Sequence, residues 1–121
     1  FLQIYDNRWK CWLFPYFRST QNNNKENIDL SISNLLKIQL STKYIAQAKH
    51  CKYSVSDGVY KIYNHKLYMI RLDELPEYMD KDEFEIGDKV FKWLSIGEME
   101  EDFDIMSKND DVIAFVKKRC C

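Results

Sequence analysis

The sequence predicts one α+β domain spanning residues 1–121, and three observations carry that prediction. Its length suits one domain able to bury an ordinary core without staples. It is 45% apolar and 15% aromatic, and its three Gly and two Pro leave little room for long linkers. Stretches with strand-like alternation are interrupted by two at helical spacing, so both element types are present.

Phe1–Tyr5 reads as a strand, and Asp6-Asn7 as a turn because both residues tolerate left-handed dihedrals. Arg8–Phe14 reads as a second strand, with Trp9, Cys11 and Leu13 on one face and Trp12 and Phe14 on the other; Pro15 ends it. Ser19–Asn27, with its Asn22-Asn23-Asn24 run, reads as a polar surface loop. A helix is expected from Ile28 to Thr42, where Ile28, Ile32, Leu35, Leu36 and Gln39 form a stripe. After Tyr44 the pattern turns to strands: Lys49–Val55, a turn at Ser56-Asp57-Gly58, then Val59–Leu72 with a hairpin bend at Asn64-His65. Leu67–Leu72 is apolar on both faces apart from Arg71, which places it centrally in a sheet and asks for an acidic partner to Arg71 from Asp73–Glu85. Asp73–Asp88 reads as an acidic connection and Lys89–Ser95 as a short strand. Asn109–Lys118 is the last helix, with Asp110 and Asp111 at its start and Lys117, Lys118 and Arg119 near its end, suiting the helix dipole.

The net charge of −1 conceals two opposed halves. Residues 1–70 carry ten Lys or Arg against four Asp or Glu, whereas residues 71–121 carry eight against fifteen. Twelve of the eighteen aromatic residues also lie in the first part. Aromatics interleaved with basic groups suit base stacking and phosphate neutralisation, although strands filled by aromatics and coated by lysines give the same composition. The longest apolar stretch, Trp12–Phe17, is too short to cross a bilayer, and no signal peptide is visible. The chain opens at Phe1 in mid-strand, so the expectation is a cytoplasmic domain cut from a longer protein, with room for a membrane tether in the missing part. Cys11, Cys51, Cys120 and Cys121 form no CxxC pair and have no zinc-ligand spacing with His50 or His65, so reduced thiols and no bound metal are expected. Glu98, Glu100, Glu101, Asp102 and Asp104 lie without ligand-like alternation and read as solvated acids.

Two segments carry a family resemblance. Trp12-Leu13-Phe14-Pro15, after a strand and before a loop and helix, resembles the Trp-any-Phe-Pro-Gly-Gly stretch that leads into the Nudix box. Phe91-Lys92-Trp93-Leu94-Ser95-Ile96-Gly97-Glu98-Met99, followed by a terminal helix, is similar to the strand, turn and last helix of many Nudix domains. The resemblance implies a Nudix-like α/β/α sandwich with a mixed, curved sheet, the box helix on one side and the terminal helix on the other. The box itself is degenerate. Its best counterpart, Asn34-Leu35-Leu36-Lys37-Ile38-Gln39-Leu40-Ser41-Thr42, lacks the arginine and all three carboxylates, and Tyr16-Phe17 stands where two glycines are usual. Mg²⁺ needs hard oxygen ligands, and Asp29 is the only acid between Ile28 and Thr42, so hydrolysis of the family's usual type is not expected.

Such degenerate domains resemble the Nudix-like sensors associated with bacterial cyclic-oligonucleotide synthases in anti-phage defence. That resemblance implies a non-enzymatic domain with no cofactor that binds a nucleotide or cyclic oligonucleotide, not a long nucleic acid. It would signal to a fused effector, in some cases through transmembrane helices outside this chain or by homo-oligomerisation. The residues expected to contact ligand are Trp12, Tyr16 and Phe17 for stacking, Arg18 for a phosphodiester, Tyr63 and His65 near the middle of the long strand, and Arg71. Two other classes stand beside this one: a Mg²⁺-dependent hydrolase using displaced acids such as Glu98, and a protein-interaction module whose pocket is filled by Tyr16 and Phe17.

Overall fold

The computed structural model describes residues 1–18, 25–54 and 57–120. In chain order these form β1 (Leu2–Asp6), β2 (Cys11–Leu13), α1 (Lys25–Leu36), β3 (Lys43–Ser54) and β4 (Val59–Met69). A 3₁₀ turn at Glu77–Met79 follows, then β5 (Glu83–Ile86), β6 (Lys89–Trp93), α2 (Ile96–Glu100) and α3 (Phe103–Cys120). The class is α+β. The expected mixed sheet is replaced by antiparallel pairing: a four-stranded sheet of order β2-β1-β6-β5 and a separate two-stranded ribbon, β3-β4. Tight connections enforce this locally. Gly87, at φ 61°, turns β5 straight into β6, and a two-residue link joins only antiparallel neighbours.

β6 lies inside the four-stranded sheet, and its Phe91 is fully buried. Phe91 stacks on Phe84 at 5.4 Å and stands opposite Ile4 of β1. Ile32 and Leu36 of α1 and Met79 of the 3₁₀ turn complete this cluster, while Trp93 Nε1 donates to the Met79 carbonyl at 2.8 Å. A second cluster joins Leu94, Ile96 and Met99 to Ile105, Ile113 and Val116, with Trp12, Phe14 and Leu67 packed against it. At the start of α2, Ser95 Oγ accepts from the Glu98 N–H and Glu98 Oε1 accepts from the Ser95 N–H, both at 3.1 Å, forming a capping box.

Several boundaries differ from the expected ones, each for a local reason. β2 begins only at Cys11, because Asp6 Oδ1 accepts the N–H groups of Arg8 and Trp9 and Lys10 takes φ 59°, giving a turn. Trp9 is left 42% exposed. α1 starts at Lys25 and stops at Leu36, six residues before the expected end, as Lys37 turns left-handed at φ 59°. The chain then folds back along the helix. Thr42 donates to Asp29 Oδ1 through its N–H at 2.8 Å and its hydroxyl at 2.5 Å, and Lys25 Nζ donates to Asp29 Oδ2 at 2.7 Å.

Asp29, the lone acid of the degenerate box, is thus a structural tie. Lys25 and Thr42 hold its carboxyl down at about 2. The unfolded chain binds that proton more readily, so this stabilisation is present above the ordinary carboxylate range and is lost as pH falls from about 4 to about 2. Urea midpoints measured across that interval should fall less in Asp29→Asn than in the wild type; an unchanged slope would remove Asp29 from acid unfolding.

The ribbon is longer and simpler than expected. β3 begins at Lys43, and β4 runs without a bend through Asn64 and His65, which pair with Lys49 and Ala48. Cross-strand pairing thereby overrides the turn preference of Asn64. Leu67–Leu72 is not central: β4 ends at Met69 in a two-stranded sheet, and Arg71 lies exposed beyond it, where no burial calls for an acidic partner. The acidic connection contains β5, whose Phe84 and Ile86 point inward while Glu83 and Glu85 face solvent. α3 is longer than expected, but it bends at Asn109 (φ −138°, ψ 28°), the expected first residue of the last helix. The Asn22-Asn23-Asn24 run, Val55, Ser56 and Cys121 lie outside the described residues. Among the described residues, Cys11 and Cys51 are free thiols and no helix is long and apolar enough to cross a membrane.

Candidate functional site

The expected ligand residues do not converge. Trp12 is half-buried in β2, edge-on to Tyr5 at 5.2 Å with Lys92 Nζ 5.8 Å above its ring, and it packs with the α2–α3 cluster. Tyr16, Phe17 and Arg18 are exposed just after β2. Arg71 is exposed past β4. Two open concavities lie elsewhere, one by Leu75, Met79 and Trp93, the other along the end of α1 at Leu30, Ser33, Ile38 and Leu40. Tyr63 and His65 are brought together, stacked at 6.2 Å and 14° on β4. They point to the ribbon as the site.

An antiparallel ribbon places directly opposed residues on the same face, so the register sorts its side chains. One face holds Ala46 and Leu67, Ala48 and His65, His50 and Tyr63, and Lys52 and Lys61. This inner face meets α3. His50 and His65 are diagonal neighbours across the strands, and their Nδ1 atoms approach to 2.8 Å, one ring donating and the other accepting. Asp111, two residues past the α3 bend, brings Oδ2 to 3.4 Å from His50 Nδ1 and Oδ1 to 2.8 Å from Lys52 Nζ. Phe115 closes edge-on to His50 at 6.2 Å.

Burial first, then the nearby His50 ring and the Lys52 ammonium, push the His65 pKa down. Burial alone would raise the Asp111 carboxyl, but the Lys52 ammonium outweighs it and holds the group below the usual range. Both Asp111 oxygens are buried; Oδ1 pairs with the Lys52 ammonium at 2.8 Å and Oδ2 faces His50 Nδ1 at 3.4 Å. Towards the tip, Lys61 pairs with Asp57, which raises the lysine pKa.

The outer face carries Gln47 and Lys66, Lys49 and Asn64, Cys51 and Ile62, and Tyr53 and Tyr60 as opposed pairs. All eight are exposed, and none is acidic. Tyr53 meets Tyr60 edge-on at 5.2 Å near the tip, and Tyr44 meets Tyr68 at 5.5 Å near the base. Two aromatic pairs therefore bracket the exposed Lys49 and Lys66.

His50, Lys52 and Asp111 were absent from the expected site because their spacing, 15 residues between the histidines and 46 more to the aspartate, carries no local signal. Counting outward from Gly58 would have set the two histidines diagonally across one face; nothing local would have added Asp111. Family models, curated proteins and solved structures give no match to this chain.

Proposed function

We propose that the chain is a non-hydrolytic, Nudix-like domain that binds a nucleotide or cyclic oligonucleotide and passes the signal to an attached effector, as in bacterial anti-phage defence. The observation that supports it is the outer face of the ribbon. Tyr44, Tyr53, Tyr60 and Tyr68 offer ring faces to bases, and Lys49 and Lys66 offer charge to phosphates, with no acid among them to repel an anion. Tyr16, Phe17 and Arg18 remain exposed and form the second candidate contact. Glu98, the acid on which a displaced-acid hydrolase would depend, is engaged in the Ser95 capping box, whose hydrogen bonds lower its pKa.

A protein-interaction module is the second reading, favoured by the ribbon tip, where Tyr60 and Ile62 are each 74% exposed. A thermal-shift screen against linear and cyclic nucleotides, with and without Mg²⁺, separates the two. A ligand present at about 100 times its Kd adds about 2.7 kcal/mol to the folded state, roughly a 10 °C rise for a chain of this size. The expected result is a Mg²⁺-independent rise with a cyclic oligonucleotide. No rise with any nucleotide would sink the sensor reading and leave the interaction module.

A further inference from the structure

We infer that His50, His65 and Asp111 form a binding site for a divalent transition-metal ion of the Zn²⁺ class, clasping the inner face of the ribbon to α3. One ligand atom from each residue lies within 4.8 Å of the other two. Imidazole with a single carboxylate is a borderline donor set that suits Zn²⁺, whereas Mg²⁺ and Ca²⁺ require several oxygens. The site stands on the opposite face from Tyr53, Tyr60, Lys49 and Lys66, so it does not depend on the nucleotide-binding reading.

The geometry is close to that of a tetrahedral ion with one open position. Two nitrogens about 2.0–2.1 Å from such an ion stand about 3.3 Å apart, so the observed 2.8 Å between the Nδ1 atoms has to open by only about 0.5 Å. The ion takes the place of the proton that the two rings share. With both rings neutral, the donor ring carries its proton on Nε2 instead and no proton leaves the pair. Ring orientation is set beforehand by neighbours: Tyr63 stacks on His65 and Phe115 closes on His50. The ligands come from three elements, with the two histidines fixed to each other by the backbone register.

Asp111 supplies an independent observation. It is a carboxylate with both oxygens buried, Oδ2 lying 3.4 Å from His50 Nδ1 and a His65 ring nitrogen within 4.8 Å of a carboxylate oxygen. Its present counter-ion is Lys52, at 2.8 Å. A divalent ion competes with that ammonium for the same oxygens, so Lys52 opposes metal binding and swings out when metal enters.

The experiment is calorimetric titration of the 121-residue chain with ZnCl₂, its accessible thiols blocked by alkylation, with Co²⁺ absorption as a report of coordination. Saturation at one equivalent and a Co²⁺ spectrum with visible ligand-field bands are expected, and MgCl₂ should give no binding. His65→Gln and Asp111→Asn should each weaken Zn²⁺ binding at least tenfold. Lys52→Gln should strengthen it several-fold, the opposite sign from any loss of folding. No saturable Zn²⁺ uptake by the wild type, a His65→Gln variant that binds as well as the wild type, or a Lys52→Gln variant that binds no tighter would each overturn the site.

Discussion

Phe91→Ala should cost the protein about 3–5 kcal/mol of folding stability, the largest effect expected of any single truncation here. The reason is position as well as size. Phe91 is fully buried in β6, which pairs on one side with β1 and on the other with β5. Its ring stacks on Phe84, and its cluster includes Ile32 and Leu36, so it holds α1 to the sheet. Alanine leaves a void that three elements cannot all collapse into, and the cost then includes lost contacts as well as lost transfer energy. Natural domains hold only about 5–15 kcal/mol in reserve, so roughly a fifth or more of the margin is at stake. Guanidinium denaturation measures it. Phe103→Ala is the companion, since Phe103 is 82% exposed and its loss should change stability by less than about 0.5 kcal/mol. Equal effects at the two positions would mean that the cluster around Phe91 does not carry the fold.

Tyr53→Ala combined with Tyr60→Ala should lower affinity for a nucleotide found in the thermal screen by about 10- to 100-fold, with little change in stability. Stacking of a base on an aromatic ring contributes about 1–3 kcal/mol, and this pair offers at least one such platform. The stability change should stay small because the two rings are exposed and lose mainly their own cross-strand contact, about 0.2–1 kcal/mol. Titration calorimetry on the double variant, with Arg18→Ala in parallel, locates the ligand. Undiminished binding in the tyrosine variant with loss in Arg18→Ala would move the site to the loop after β2 and count against the ribbon.

What the sequence revealed and what it hid divide along physical lines. β1, β6 and the second half of α3 were legible because each states its preference locally: alternation for the strands, and acids before and bases after an apolar stripe for the helix. The end of α1 was hidden, since Lys37 enters the left-handed region without a glycine to mark it, held there by the return of Leu40 and Thr42 onto Ser33 and Asp29. β5 was obscured by its acids, although Phe84 and Ile86 alternate with Glu83 and Glu85 in plain period two. The histidine–aspartate cluster was out of reach for a different reason. It is a tertiary product of the β3–β4 register and of the bend at Asn109 that turns Asp111 towards the ribbon. The candidate ligand residues fared unevenly: Tyr63 and His65 meet, Trp12 is taken up in packing, and Tyr16, Phe17, Arg18 and Arg71 stand in solvent.

The two-stranded ribbon has a further consequence. Among the described residues neither β3 nor β4 pairs with any other strand, so each carries a rim of backbone amides and carbonyls open to a third strand. Such rims template aggregation unless charge keeps other chains away, and lysine is the residue most often used for that purpose. Lys43, Lys49 and Lys52 on β3 and Lys61 and Lys66 on β4 space positive charge along both rims. Lys49 and Lys66 therefore sit at the meeting of two equilibria, capture of an anion and repulsion of a neighbouring copy. Replacing either with a neutral residue loosens the first and relaxes the second, so weaker binding and greater stickiness should arrive together.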